Sequence, residues 1–189
     1  MVDQLVLGRE CGACSQCCVT PAIDKPDIQK APGTPCRHRA GGCAIYESRP
    51  QICRDYHCGW RRLAGVLQDW RPDLSGVFVE LEADVPLQFR ASIGMTLILV
   101  GNPLKTVRRH DFQEFVARNV RNNVFLFLGL PGPRGMQCVR LPLNTQYILD
   151  AAAQSRNAVR SALEKVLKRL SAHAFKPHAM EHAGHDFGL

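Results

Sequence analysis

The sequence predicts an α+β protein: a small irregular cysteine-rich metal-binding subdomain, then a mixed strand and helix region, then a long C-terminal helix. Three observations carry this. Eight of the nine cysteines fall within the first 58 residues, among prolines and glycines that interrupt regular structure. Residues 76–82 (GVFVELE) alternate apolar with polar side chains, the period of a half-buried strand. Near the C-terminal end, Ile148, Ala152, Ser155, Val159, Leu163, Val166 and Leu170 recur at gaps of three and four, which is one face of a helix.

The first zone, residues 1–62, is turn-rich, with short helical possibilities only. Thr20 to Asp27 contains two prolines and residues 31–35 (APGTP) contain two more. Its cysteines run Cys11-x-x-Cys14-x-x-Cys17-Cys18, then Cys36, Cys43, Cys53 and Cys58. Core packing does not explain a small hydrophobe every third residue in a glycine-containing loop, which leaves a disulfide framework or a thiolate-bound metal. The first residues, MVDQLVLGRECG, show no basic, apolar and small-residue succession of a secretory signal, so the expectation is a reducing, cytoplasmic setting and a metal. Short C-x-x-C gaps also turn two sulfurs to one side. Few apolar positions are available here, so the metal is expected to substitute for a core.

The second zone, residues 63–142, is a mixed β-rich region expected to pack on the first. After the strand at 76–82 comes a second at 95–101 (MTLILVG), ended by Asn102-Pro103. Phe112, Phe115, Val116 and Val120 have helical spacing, and His110-Asp111 can open that helix. Residues 124–130 read as a buried strand. The turn PGPRG at 131–135 then leads into 136–141, making a hairpin.

The third zone, residues 143–175, is the amphipathic helix, expected as one unbroken element over about 144–172. Asn144 or Thr145 can cap it, and Glu164 with Lys168 forms an i,i+4 pair. Residues 176–189 are polar and aperiodic, an expected disordered tail that carries His178, His182 and His185. With His173, these could hold metal loosely.

The 189 residues are 46% apolar, enough for a core, yet no apolar run approaches the ~20 residues of a membrane span. No membrane association is expected. The formal charge of +7 comes largely from 18 arginines against 6 lysines, spread over all three zones. That dispersal argues for solvated faces rather than a nucleic-acid stripe, so a nucleic-acid partner is not expected, and the protein partner is left open.

Residues 42–60, GCAIYESRPQICRDYHCGW, resemble the GCxIYExRPxxCRxFxCxW stretch of the CxxCxxCC family, the YkgJ-type cysteine-cluster proteins described as zinc- or iron-chelating domains. Cys11-x-x-Cys14-x-x-Cys17-Cys18 matches the motif that names the family, with Pro35-Cys36 at the intermediate ligand position. Residues 71–76 (RPDLSG) are a looser feature of the same resemblance, and Tyr56 stands where the family often has Phe. The resemblance covers residues 8–62 and implies that Cys11, Cys14, Cys17, Cys18, Cys36, Cys43, Cys53 and Cys58 are metal ligands. Some relatives resemble the metal-binding part of flagellin lysine N-methylases.

Soft thiolates in fours suit tetrahedral zinc or an iron-sulfur cluster, so eight cysteines permit two sites or one site with spare thiols. Cys18 directly follows Cys17, so its sulfur leaves in another direction and belongs to a second site or to none. Arg37, Arg49 and Arg54 are candidates to offset tetrathiolate charge. His57 and His38 are weaker ligand candidates, and Cys138 reads as a buried small hydrophobe in a strand. Tyr46, Tyr56 and Trp60 read as a miniature core over the metal loops. Three functions compete: a cytosolic metal-binding protein for redox, sensing or metal handling; a structural zinc module in a nucleic-acid- or protein-binding factor; and a metal- or cluster-dependent modifying enzyme allied to the methylases. No catalytic residues or other cofactor site are named by the sequence.

Overall fold

A computed structural model describes residues 5–89 and 93–179. Its largest element is a four-stranded sheet in the order β3-β4-β5-β6, formed by β3 (Val77–Glu82), β4 (Gly94–Leu99), β5 (Leu126–Leu130) and β6 (Val139–Pro142). The outer pairs are antiparallel and the central β4-β5 pair is parallel. A parallel neighbour requires a crossover, and α4 (Pro103–Val107) with α5 (His110–Arg121) supplies it.

Register sorts the two faces. Val77, Val79 and Leu81 stand opposite Leu99, Leu97 and Met95; Met95 and Leu97 stand opposite Leu126 and Leu128; Leu128 stands opposite Leu141. All join one core with α5, α6 (Gln146–Gln154) and α7 (Arg156–Ser171). Alternate residues therefore meet the helices on one face. Trp70, fully buried, stacks on Phe112 at 5.6 Å and leans on Phe115 at 4.7 Å between ring centres. The other face presents Phe78, Glu80, Thr96 and Ile98, and Glu82 there binds Arg140 and Thr96.

The expected single C-terminal helix is two helices. Ser155 is fully extended (φ −169°, ψ 163°), ends α6 and caps α7 by accepting from the Ala158 amide. A serine hydroxyl satisfies an orphan N–H of a new helix better than it fits mid-helix, so the apolar stripe continues while the backbone breaks. Thr145 caps α6. Asn144 instead ties the strand, accepting from Leu126 N and donating to Val124 O. Glu164 pairs with Arg108 at 2.7 Å and Arg160 at 3.4 Å rather than with Lys168.

The amino-terminal zone has little regular structure: a 3-10 turn (Gln16–Cys18), a short hairpin of β1 (Ile23–Lys25) and β2 (Ile28–Lys30), α1 (Gln51–Asp55) and α2 (Gly59–Arg62). It is fastened to the sheet at two places. Gly59 lies so close to β3 that a Cβ there would be 2.4 Å from Val79 Cγ1, and Trp60 beside it is buried in the main core. Elsewhere Gly135 N donates to Pro32 O, joining the β5-β6 loop to the loop after β2. The chain after α7 also adds to that loop, through Gln137 N to Lys176 O and His178 N to Gly135 O. Residues 176–178 of the tail are thus tied to this loop, and residues 180–189, with His182 and His185, lie outside the described residues.

Candidate metal centre

The cysteine loops close around a cavity of ≈ 230 Å³. Cys11, Cys14, Cys17, Cys18, Cys36, Cys43 and Cys53 all line it, with Ile23, Ile28, Ile45 and Ile52 supplying apolar wall. Cys58, the eighth, lines a smaller adjoining cavity that also takes in Cys11, Cys14 and Cys17. All nine cysteines are free thiols. Among the described residues no three His, Cys, Asp or Glu side chains already stand as a coordination sphere, so ligation requires the thiols to turn further inward. That couples metal binding to local ordering.

Backbone amides are aimed at several sulfurs. His38 N donates to Cys36 Sγ at 3.4 Å, Gln16 and Asp73 amides serve Cys14, and Trp60 and Arg61 amides serve Cys58. Such N–H donors stabilise thiolate charge and are the usual outer shell of metal-bound sulfur.

Burial pushes the Cys14 thiol up to about 11, with the Asp73 carboxylate adding to it. Burial likewise raises Cys53, whose neighbours are Cys36, Cys18 and Cys43, and Cys58, whose neighbour is Cys11. Cys17 and Cys18 share a hydrogen bond that raises Cys17 and lowers Cys18, and the charges of Lys30, Arg39 and Arg49 favour the Cys18 thiolate further. These thiols crowd one another enough that their protons are held jointly.

The counter-charges differ from the sequence expectation. Of Arg37, Arg49 and Arg54, only Arg49 is turned toward the thiols, where its charge acts on Cys18 and Cys53; Arg37 and Arg54 are exposed. Two cations that spacing did not single out are buried instead. Lys30 is 6% exposed, and its ammonium donates to Val19 O at 3.0 Å and to Pro21 O, within reach of the charges of Cys36, Cys18, Cys17 and Cys53. Arg9 is 4% exposed, donates to Leu63 O, Val66 O, Trp60 O and Gln68 Oε1, and feels the charge of Cys58. Buried cations are costly unless compensated, and here carbonyls and thiols compensate both. Arg71 and Asp73 form an ion pair at 2.8 Å beside Cys14 and Cys11, so the RPDLSG segment belongs to this site.

The aromatic residues divide. Trp60 is buried in the main core and also lines the smaller cysteine cavity. Tyr46 lines the larger cysteine cavity but is 49% exposed, with the Arg49 guanidinium 3.7 Å from its ring centre. Tyr56 lines both cysteine cavities, and its buried hydroxyl has no hydrogen-bond partner among the described residues. His57 lines the smaller cavity, its imidazole held toward neutrality by burial and by Arg61, Arg49 and Arg62. His38 lines the larger one, and its ring accepts from Arg37 Nε. His173 contacts Arg169 O and His178 lines a separate cavity; neither lines either cysteine cavity. Cys138 lies one residue before β6, half-buried, donates to Val139 O, and is pushed up to about 12 by burial and by Glu80.

The donor set fits a thiophilic metal: many soft sulfurs, amide donors aimed at them, buried cations beside them and an orphaned hydroxyl between them. No family model, curated protein or solved structure matches this chain. Among the described residues, no helix is long and apolar enough to cross a membrane.

Proposed function

We propose that this protein is a cytoplasmic metal-binding protein of the YkgJ-type, CxxCxxCC kind, holding zinc or an iron-sulfur cluster through Cys11, Cys14, Cys17, Cys18, Cys36, Cys43, Cys53 and Cys58. The observation that carries the reading is the cavity of ≈ 230 Å³ bordered by seven thiols, with Lys30 and Arg49 beside them. Bound metal would supply a Lewis-acidic or redox-active centre. The chain's own residues do the rest: thiolates ligate, amides from Gln16, His38 and Trp60 donate to the sulfurs, and Lys30 and Arg9 offset the charge.

Resemblance over residues 8–62 supports the same ligand set, because its named cysteines are those that border the two cavities. The chemistry of soft donors favours thiophilic ions over calcium or magnesium. Alkylation mapping of the reduced chain before and after anaerobic addition of Zn²⁺ tests the reading. Protection of the eight amino-terminal thiols with Cys138 still reactive is expected. Equal reactivity of all nine with and without metal overturns it.

A further inference from the structure

Resting on the metal-binding reading, we propose that the eight thiols form two separate four-thiolate sites. Cys11, Cys14, Cys17 and Cys58 make one, Cys18, Cys36, Cys43 and Cys53 the other, and the peptide bond between Cys17 and Cys18 is the boundary.

The smaller cavity carries the first half of this division. It is bordered by Cys11, Cys14, Cys17 and Cys58 and by none of the other four thiols, and its volume is ≈ 30 Å³. That exceeds the roughly 10–15 Å³ needed to hold one water molecule, so a single ion fits. Two hydrogen-bond donors on its wall, the Tyr56 hydroxyl and Arg61 Nε, are buried without partners. Unsatisfied buried donors are costly. Both residues line the cavity that these four thiols border, and an acceptor there, as a metal-bound thiolate is, would satisfy such donors.

The second half rests on backbone ties. Cys36 N donates to Cys18 O at 2.8 Å, and Arg39 bridges to Cys43, closing the loop between Cys36 and Cys43. Cys18, Cys36, Cys43 and Cys53 line the larger cavity and not the smaller, whereas Cys58 lines only the smaller; Cys11, Cys14 and Cys17 border both. The boundary follows from local geometry. Cys17 and Cys18 sit in a 3-10 turn, where adjacent side chains start about 120° apart; the hydrogen bond their sulfurs share needs a proton and is lost when both bind metal as thiolates. Two buried cations flank the thiols, Arg9 beside Cys58 and Lys30 beside Cys36, Cys18, Cys17 and Cys53.

Anaerobic titration of the reduced full chain with Co²⁺, read by thiolate-to-metal absorption, tests the division. Saturation at two Co²⁺ per chain is expected, with Cys58→Ser and Cys53→Ser each retaining one undisturbed tetrathiolate ion and the double variant retaining none. Cys58→His and Cys53→His keep a ligand in place should the serine variants fail to fold, and each is expected to lower the thiolate absorption of one of the two ions only. Saturation at one ion, or loss of both ions from Cys58→Ser or of thiolate absorption at both from Cys58→His, overturns the division while leaving metal binding standing. No Co²⁺ bound to the wild-type chain overturns both.

Discussion

Replacing Tyr56 by Phe is expected to shift stability and metal affinity in opposite directions. The Tyr56 hydroxyl is buried and unpartnered, and burial together with Glu80, Cys58 and Cys17 raises its pKa well above the ordinary phenol value, so it is a neutral O–H donor at any physiological pH. A buried hydroxyl without a partner costs ~1–3 kcal/mol. Taking the low end, the metal-free Tyr56→Phe chain gains about 1 kcal/mol. With metal bound, the same hydroxyl donates to a charged thiolate, a bond worth ~1.5–3 kcal/mol.

Metal binding in the wild-type chain therefore includes both the relief of the orphan and the new bond. Their sum, about 2.5 kcal/mol, corresponds to a roughly 60-fold loss of affinity in the variant at 1.4 kcal/mol per tenfold. Amide exchange across residues 51–60 of the metal-free chain reads the first quantity, and Zn²⁺ competition against a chromophoric chelator reads the second. A metal-free variant less stable than wild type, with unchanged affinity, refutes the reasoning, because the hydroxyl would then already be satisfied and would not face the ion.

Three further outcomes are expected. Complete chelation should lower amide protection between Cys11 and Cys58 far more than in α7 and the β3–β6 sheet, without erasing it, since metal contributes much of the folding free energy of the first zone; exchange that is unchanged there contradicts this. Asp111 is partly buried, which opposes its ionisation, but hydrogen bonds from Arg109 and from Trp70 Nε1 (2.7 Å) outweigh that and lower its pKa. Its stabilisation is thus complete above the unfolded value near ~4 and is lost as pH falls through the folded one; Asp111→Asn should cost ~1–3 kcal/mol at pH 7 and converge on wild type in acid, as denaturant titrations at each pH would show. Generic RNA or DNA should bind weakly, because Arg9 is buried and Arg71, Arg108, Arg109 and Arg140 are already in ion pairs. A sub-micromolar complex by anisotropy that weakens steeply between about 50 and 200 mM salt and is lost on changing Arg61 and Arg62 would contradict it.

Periodicity made the sheet and α5 legible, because Val77, Val79, Met95, Leu97, Leu126 and Leu128 alternate or run as the buried pleats require. It concealed the break at Ser155, where one extended residue restarts a helix without disturbing the apolar stripe. The ligand candidates were legible from spacing and resemblance. Their surroundings were not. Lys30 and Arg9 sit 12 and 2 residues from Cys18 and Cys11 in sequence, and only tertiary packing turns them inward. Arg37 and Arg54 adjoin cysteines in the chain yet point to solvent, because adjacency in sequence says little about direction in an irregular loop. Asp73 was visible within the RPDLSG segment, but its place beside Cys14 depends on α3 (Pro72–Ser75), which ends at Gly76 in a left-handed turn (φ 71°) just before β3.

The most direct measurement is the absorption spectrum of anaerobically purified protein, with iron, zinc and acid-labile sulfide quantified per chain, on wild type, Cys14→Ser and Cys138→Ser. Metal binding by the amino-terminal thiols requires stoichiometric zinc, or iron with sulfide and its charge-transfer bands, in wild type and Cys138→Ser, and a clear loss in Cys14→Ser. Metal at background in wild type, or a loss from Cys138→Ser as large as that from Cys14→Ser, would contradict it.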